Sequence, residues 1–188
     1  MKTIVTSAIL VAVTLFTSTV NAQRKDIKAS ESTIEWTGKK ITGSHTGTLN
    51  FSDGYLEFKD DAIVGGAFTV DMTSLNVTDL EAGKGKEKLE GHLTSDDFFG
   101  TKNNPKAMLK VTSATKSDKT YTVVGDLTIK GKTAPITFDL LVNDTVATTT
   151  LDVNRTVYDI KYGSGSFFDN LGDKAISDDF TLDVTLKM

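Results

Sequence analysis

Residues 121–143 read YTVVGDLTIKGKTAPITFDLLVN, and the fold turns on how this stretch is read. Gly131-Lys132 sits between two strand-like runs, and a glycine-first pair suits a two-residue type II′ hairpin turn. Closed at that pair, the hairpin sets Ile129 opposite Ala134, Leu127 opposite Ile136, Gly125 opposite Phe138, Val123 opposite Leu140 and Tyr121 opposite Val142. All of these lie on one face, because successive strand side chains alternate. The other face carries Lys130, Thr128, Asp126, Thr133, Thr137 and Asp139 and is mostly polar. Slipping by one residue would mix the two sets, so one side of this hairpin must cover something apolar.

The same period of two extends along the chain. Ile34, Trp36 and Gly38 alternate with Thr33, Glu35 and Thr37, and Phe68, Val70 and Met72 with Thr69 and Asp71. Ala107, Leu109 and Val111 follow, then Ala147, Thr149, Leu151 and Val153, and finally Phe180, Leu182, Val184 and Leu186. A turn is expected at Asp53-Gly54, between a run from Gly43 to Phe51 and one from Tyr55 to Lys59. Eight or so short strands separated by Gly, Asp and Asn turns describe an antiparallel β-barrel or sandwich. Only Lys84 to Leu93 breaks the period; its helix formers and its Leu89/Leu93 spacing predict one short helix. Residues 23–31 are polar and read as a loose leader.

Residues 1–22 begin with Lys2 and an apolar run from Ile4 to Phe16 and end Val20-Asn21-Ala22, the pattern of a cleaved Sec-type signal peptide. The run is shorter than the roughly 20 apolar residues that span a bilayer. Export to a periplasmic or secreted location is therefore expected, with residues 23–188 as one domain. The chain has no cysteine, so its fold must hold without disulfides, and thiol chemistry is excluded. Its 21 basic and 25 acidic residues give a formal charge of −4, and without a basic cluster nucleic acid is not expected as a partner.

Chemistry-bearing motifs are sparse. His45 and His92 are the two histidines of the chain and stand in no zinc-ligand spacing. Asp169, Asp173, Asp178 and Asp179 lack the ligand alternation of a calcium loop. Neither GSHTG (43–47) nor GSGSF (163–167) makes a nucleophile elbow, and Ser44 and His45 point to opposite faces if that run is a strand. No catalytic or metal-ligating residue is assigned. What remains is the apolar face. Periodicity leaves it open whether that face packs a filled core or lines a cavity; Gly125 fits either a packing accommodation or the close approach of a ligand.

The run GDLTIKGKTAPITFDL (125–140) resembles the signature hairpin of the YceI-like family of exported lipid-binding barrels. FTVDMTSL (68–75), HLTSDDFFG (92–100) with Pro105-Lys106-Ala107, LDVNRTVYDIKYGSG (151–165) and LGDKAISDDFTLDVTL (171–186) resemble its other blocks in order. One departure is Asn154 before Arg155, where the family more usually has an Asp-Arg pair; this bears on any salt bridge at that position, not on the fold.

The resemblance implies an all-β, antiparallel, eight-stranded lipocalin-like barrel with one or two short helices. It also implies a cavity holding a long-chain lipid, often a polyisoprenoid or isoprenoid quinone, with no other cofactor. The expected lining is Trp36, Phe68, Val70, Tyr121, Val123, Leu127, Ile136, Phe138, Leu140, Phe180 and Leu182. Phe98 and Phe99, like Phe167 and Phe168, are expected to gate the ends of a cavity or plug a filled barrel. Arg155, Tyr158 and Tyr162 are assigned either to a head group or to anchoring a strand crossing. A transient membrane contact and a dimer stay open. So do two other readings, a filled-barrel binding or adhesion module in stress and a lipid-modifying enzyme.

Overall fold

The alternating runs pair into one antiparallel sheet in the computed structural model, which describes residues 22–188. The export leader read at residues 1–22 lies, but for Ala22, outside the described residues. The strands are β1 (Gln23–Asp26), β2 (Thr33–Lys40), β3 (Gly43–Lys59), β4 (Ala62–Val77), β5 (Lys106–Ser117), β6 (Thr120–Ile129), β7 (Lys132–Asn143), β8 (Val146–Asn154) and β9 (Ile176–Lys187). One helix, α1 (Lys86–Thr94), follows β4. Neighbours run β3-β2-β9-β8-β7-β6-β5-β4, and β4 returns to β3 to close the ring. The expected eight-stranded antiparallel barrel is therefore present, and β1 lies outside it as an extra strand. Closure of this kind removes the free edges that an open sheet must protect.

Two sequence expectations near the start are corrected. Residues 23–31 are not a loose leader. Gln23–Asp26 pair with Tyr55–Phe58, a 3-10 turn follows at Ala29–Glu31, and Ile27 is buried, its N–H donating to the Gly54 carbonyl at 2.9 Å. Alternation missed this strand because its face toward solvent and its face toward the barrel are both mostly polar. Nor is Asp53-Gly54 a turn: β3 runs on through it with a bulge between Phe51 and Asp53. Gly54 instead makes room for Phe68, whose ring would lie 2.5 Å from a Cβ placed there.

The opening hairpin is also corrected, in register but not in face. Its turn is Lys130-Gly131, both with positive φ (50° and 72°), which is the type I′ geometry that matches strand twist. Pairing therefore slides by two residues: Leu127 faces Ala134, Gly125 faces Ile136, Val123 faces Phe138 and Tyr121 faces Leu140. A slip of two preserves parity, so the apolar set still shares one face. Gly125 is bare on account of its other neighbour, since a Cβ there would come 2.8 Å from the Lys110 carbonyl of β5.

Hairpin turns at 60–61, 118–119 and 144–145 mark the lower end of the barrel; the segments 78–105 and 155–175 lie over the upper end. Two apolar clusters occupy these ends. The lower contains Ile27, Leu56, Ile63, Phe68, Val111, Tyr121, Val123 and Leu140, and the upper contains Met72, Phe98, Ala107, Ile129, Val153, Tyr158 and Ile160. β7 and β8 pair only at their lower ends, through Leu141/Thr148, Val142/Ala147 and Asn143/Val146, and then diverge.

Candidate ligand-binding interior

The expected lining residues do not form one uniform wall. Phe68, Tyr121, Val123 and Leu140 are buried in the lower cluster, and the Tyr121 hydroxyl donates to the Asp61 carbonyl at 2.8 Å. They form a packed floor rather than an accessible wall. Their burial follows from β1 and the 3-10 turn after it, which bring Ile27 across that end.

Above the floor the inner face changes character. Val70, Leu127, Ile136, Phe138, Phe180 and Leu182 point inward with their strands' alternation yet are only half-buried. An inward apolar side chain that keeps accessible surface borders unfilled space, since packed interiors leave few voids larger than a water. Leu49, Leu109, Ala134 and Leu151 share this condition and were not among the expected lining. The strand alternation carries them, but selection by side-chain size passed over them.

Trp36, the single tryptophan of the chain, is buried on the inner face of β2. Its Nε1 has no hydrogen-bond partner, and neither does the buried Thr149 hydroxyl on the inner face of β8. Trp36 faces Leu182 and Thr149 faces Val184, so the two polar groups flank neighbouring positions of β9. Unpaired buried donors carry a desolvation cost of about 1–3 kcal/mol each, which an acceptor in the interior would relieve. The indole lies against Gly47 of β3, where a Cβ would sit about 2.5 Å from the ring and closer still to the Asn76 carbonyl. Gly47→Ala is accordingly expected to cost about 1–3 kcal/mol, read as a lower urea midpoint at unchanged slope.

The upper end is closed by a cap. Phe98 is buried, Phe99 meets Phe180 edge-on at 6.1 Å, and Tyr158 and Ile160 pack beside them. Arg155 holds this cap down. It is 2 % exposed; its Nε donates to the Ser177 carbonyl (2.9 Å), Nη1 to Ile160 (2.7 Å) and Nη2 to Ile176 (3.1 Å), with Asp178 at 3.6 Å. Of the two roles expected for Arg155, the geometry is that of a strand-crossing anchor: its donors are spent on backbone carbonyls. The departure at Asn154 has its own use, since its side-chain oxygen caps the 3-10 turn Arg155–Tyr158 by accepting from the Thr156 N–H at 3.0 Å. Burial pushes the Arg155 pKa down and the Tyr158 phenol up. The Ser164 and Ser166 hydroxyls, with Arg155 beside them, hold the Asp178 carboxyl below its usual range.

Phe167 and Phe168 do not gate the interior. Both are half-exposed on the segment outside the cap, and the Lys161 ammonium lies 4.9 Å from the Phe167 ring. Tyr162 is likewise exposed and meets the His92 ring edge-on at 4.5 Å. His45 pairs with Asp79 at 2.8 Å, tying the start of β3 to the residues after β4. Among the described residues no group of His, Cys, Asp or Glu is placed to hold a metal ion.

Comparison with known proteins adds four relations. The profile of the YceI-like domain matches residues 26–188. A UPF0312 protein of Staphylococcus epidermidis is 43% identical over 77 residues, which is 39% of this chain and 43% of that protein, so the match spans less than half of either. The crystal structure of Burkholderia cenocepacia BcnA superposes with a TM-score of 0.68 at 20% identity, covering 85% of this chain and 98% of that one. A polyisoprenoid-binding domain from Saccharophagus degradans gives 0.59 at 17% identity, over 88% and 97%. At those identities the two structures speak to the fold alone.

Proposed function

This chain belongs to the YceI-like domain family, and on that premise we propose that it is an exported protein holding a long apolar chain of the polyisoprenoid or isoprenoid-quinone class inside its barrel. The observation that carries the reading is the band of inward residues, Phe138 and Leu182 among them, that stay half-buried between a packed floor and a packed cap. The polyisoprenoid-binding domain that shares the fold supports the ligand class. Trp36 Nε1 and the Thr149 hydroxyl are the polar handles, and since an indole N–H only donates, the head group must offer an acceptor oxygen.

Energetics fit a carrier rather than a sink. Each buried methylene is worth about 0.8 kcal/mol against water, but a membrane offers the same gain. Exchange between protein and membrane is then nearly balanced, and shape plus the two polar handles decide retention.

Native mass spectrometry of the protein purified from the exported fraction of its own cells tests this directly. The expected result is a bound mass in the lipid range that organic solvent removes. A clean apoprotein from lipid-replete cells would sink the proposal and favour a filled barrel.

A further inference from the structure

A packed floor covers the lower end of the barrel and the Phe98, Tyr158 and Arg155 cap covers the upper, with a cleft lined by Lys39, Ile41, Gly165 and Ala175 on the rim beside that cap. The side wall offers a more direct way to the half-buried band. β7 and β8 are joined by three pairs at their lower ends, while Lys132–Leu140 of one and Thr149–Asn154 of the other face each other unpaired. The 3-10 turn Arg155–Tyr158 packs against β7 above, so the gap is a bounded window. Directly behind it lie Ile136, Phe138 and Leu151, all half-buried.

The sequence keeps this window from zipping shut. Counting from the Lys130-Gly131 turn, Ile129/Lys132 is a hydrogen-bonded pair and such pairs alternate. Asp126/Pro135 is therefore a pair whose backbone groups point away from each other. The donor that Pro135 lacks would have faced β8, in the middle of the unpaired stretch.

Beside the foot of the window, on the outer face of the barrel, lies a cleft of about 530 Å³ lined by Asp139, Leu141, Thr148 and Thr150 with their neighbours on β6, β9 and β2. Three of its lining residues, Glu35, Asp139 and Asp183, are acidic and none is basic. The cations nearest the window, Lys132 with Lys130 and Lys161, gather at its upper corner around Asp159, so the acidic field is that of the foot, where it repels an arriving anion and slows its entry.

We propose that the window between β7 and β8 is the entrance to the interior and that it admits apolar chains with uncharged head groups in preference to anionic ones. The proposal rests on the interior being a chain site, as read above. It specifies the ligand further: a prenyl alcohol, quinone or amide enters readily, whereas a prenyl phosphate or fatty acid is turned back at the mouth.

Two single-cysteine variants test the route, because the chain has no cysteine of its own. Thr137→Cys is exposed on the outer face of β7 beside the window, and Ile41→Cys is exposed on the rim of the upper end. Each is tagged with a bulky polyethylene glycol maleimide, and geranylgeraniol uptake is followed by stopped-flow emission of Trp36. The expected result is several-fold slower uptake with the Thr137→Cys tag alone. In the untagged chain, geranylgeranyl phosphate should enter about tenfold or more slowly than the alcohol, with added salt narrowing the gap. Slowing by the Ile41→Cys tag, by both tags equally or by neither overturns the entrance, as does equal uptake of alcohol and phosphate. If Trp36 emission responds to neither probe and native mass spectrometry finds no lipid, the interior reading fails as well. A response with unslowed kinetics removes only the window.

Discussion

Arg155→Met should lower the stability of the fold by about 3–5 kcal/mol, the range for removing one partner of a buried, hydrogen-bonded charge. The guanidinium serves three backbone carbonyls from two segments, those of Ser177 and Ile176 at the start of β9 and Ile160 in the cap, and it lies beside Asp178. Methionine fills similar volume but withdraws the donors from all three carbonyls, the one at Ile160 in a buried position. The loss should appear as a lower urea midpoint and as faster amide exchange across residues 155–178. A change below about 1 kcal/mol would show that the cap is not held by this residue. Acid offers a companion measurement. The depressed Asp178 pKa means its stabilisation is complete above the unfolded value near 3.8 and is lost as pH falls through the folded value. Stability of the parent chain should thus decline below about pH 4, and Asp178→Asn should flatten part of that decline.

Phe138→Arg is expected to leave the protein folded while reducing chain retention by more than about 100-fold. With a chain bound, the guanidinium must either lie among apolar carbons at a cost of several kcal/mol or fill the window the chain uses, and about 2.7 kcal/mol already corresponds to that factor. Folding should survive because Phe138 is only half-buried and stands beside the β7–β8 window, through which the arginine can extend its charge to water. Thr115→Arg, on the exposed outer face of β5, serves as the control. Lipid co-purification by native mass spectrometry and titration of Trp36 emission with geranylgeraniol give the readout. Retained lipid would exclude this face from the site; an unfolded variant would instead mark Phe138 as ordinary core.

How far the site could be read from the chain differs residue by residue. Alternation correctly put Ile136, Phe138 and Leu182 on the inner face, because the pleat has a period of two whatever the strand's partners are. It could not separate them from Tyr121 or Leu140, which share that face but sit on the floor. That distinction depends on Ile27, just after β1, packing into the lower cluster, a contact between segments about a hundred residues apart in the chain. Arg155 stood out in the block 151–165 with a head-group or an anchoring role left open, and the anchoring role depends on carbonyls of Ile176 and Ser177 that only folding brings near.

The sequence by itself determined an antiparallel all-β class, barrel or sandwich, with one short helix and the two faces of most strands, since local period and turn residues encode these without reference to distant partners. The resemblance to a family narrowed the class to a barrel. For the hairpin at 121–143 it determined the face but not the register. A glycine fits either turn position, and a slip of two residues leaves parity unchanged. Only the tertiary structure decided the type I′ turn at Lys130-Gly131, the packed floor, the Arg155 cap and the window between β7 and β8. Each of these is set by how far the closed ring brings non-neighbouring strands together, and closure is a property of all eight strands at once.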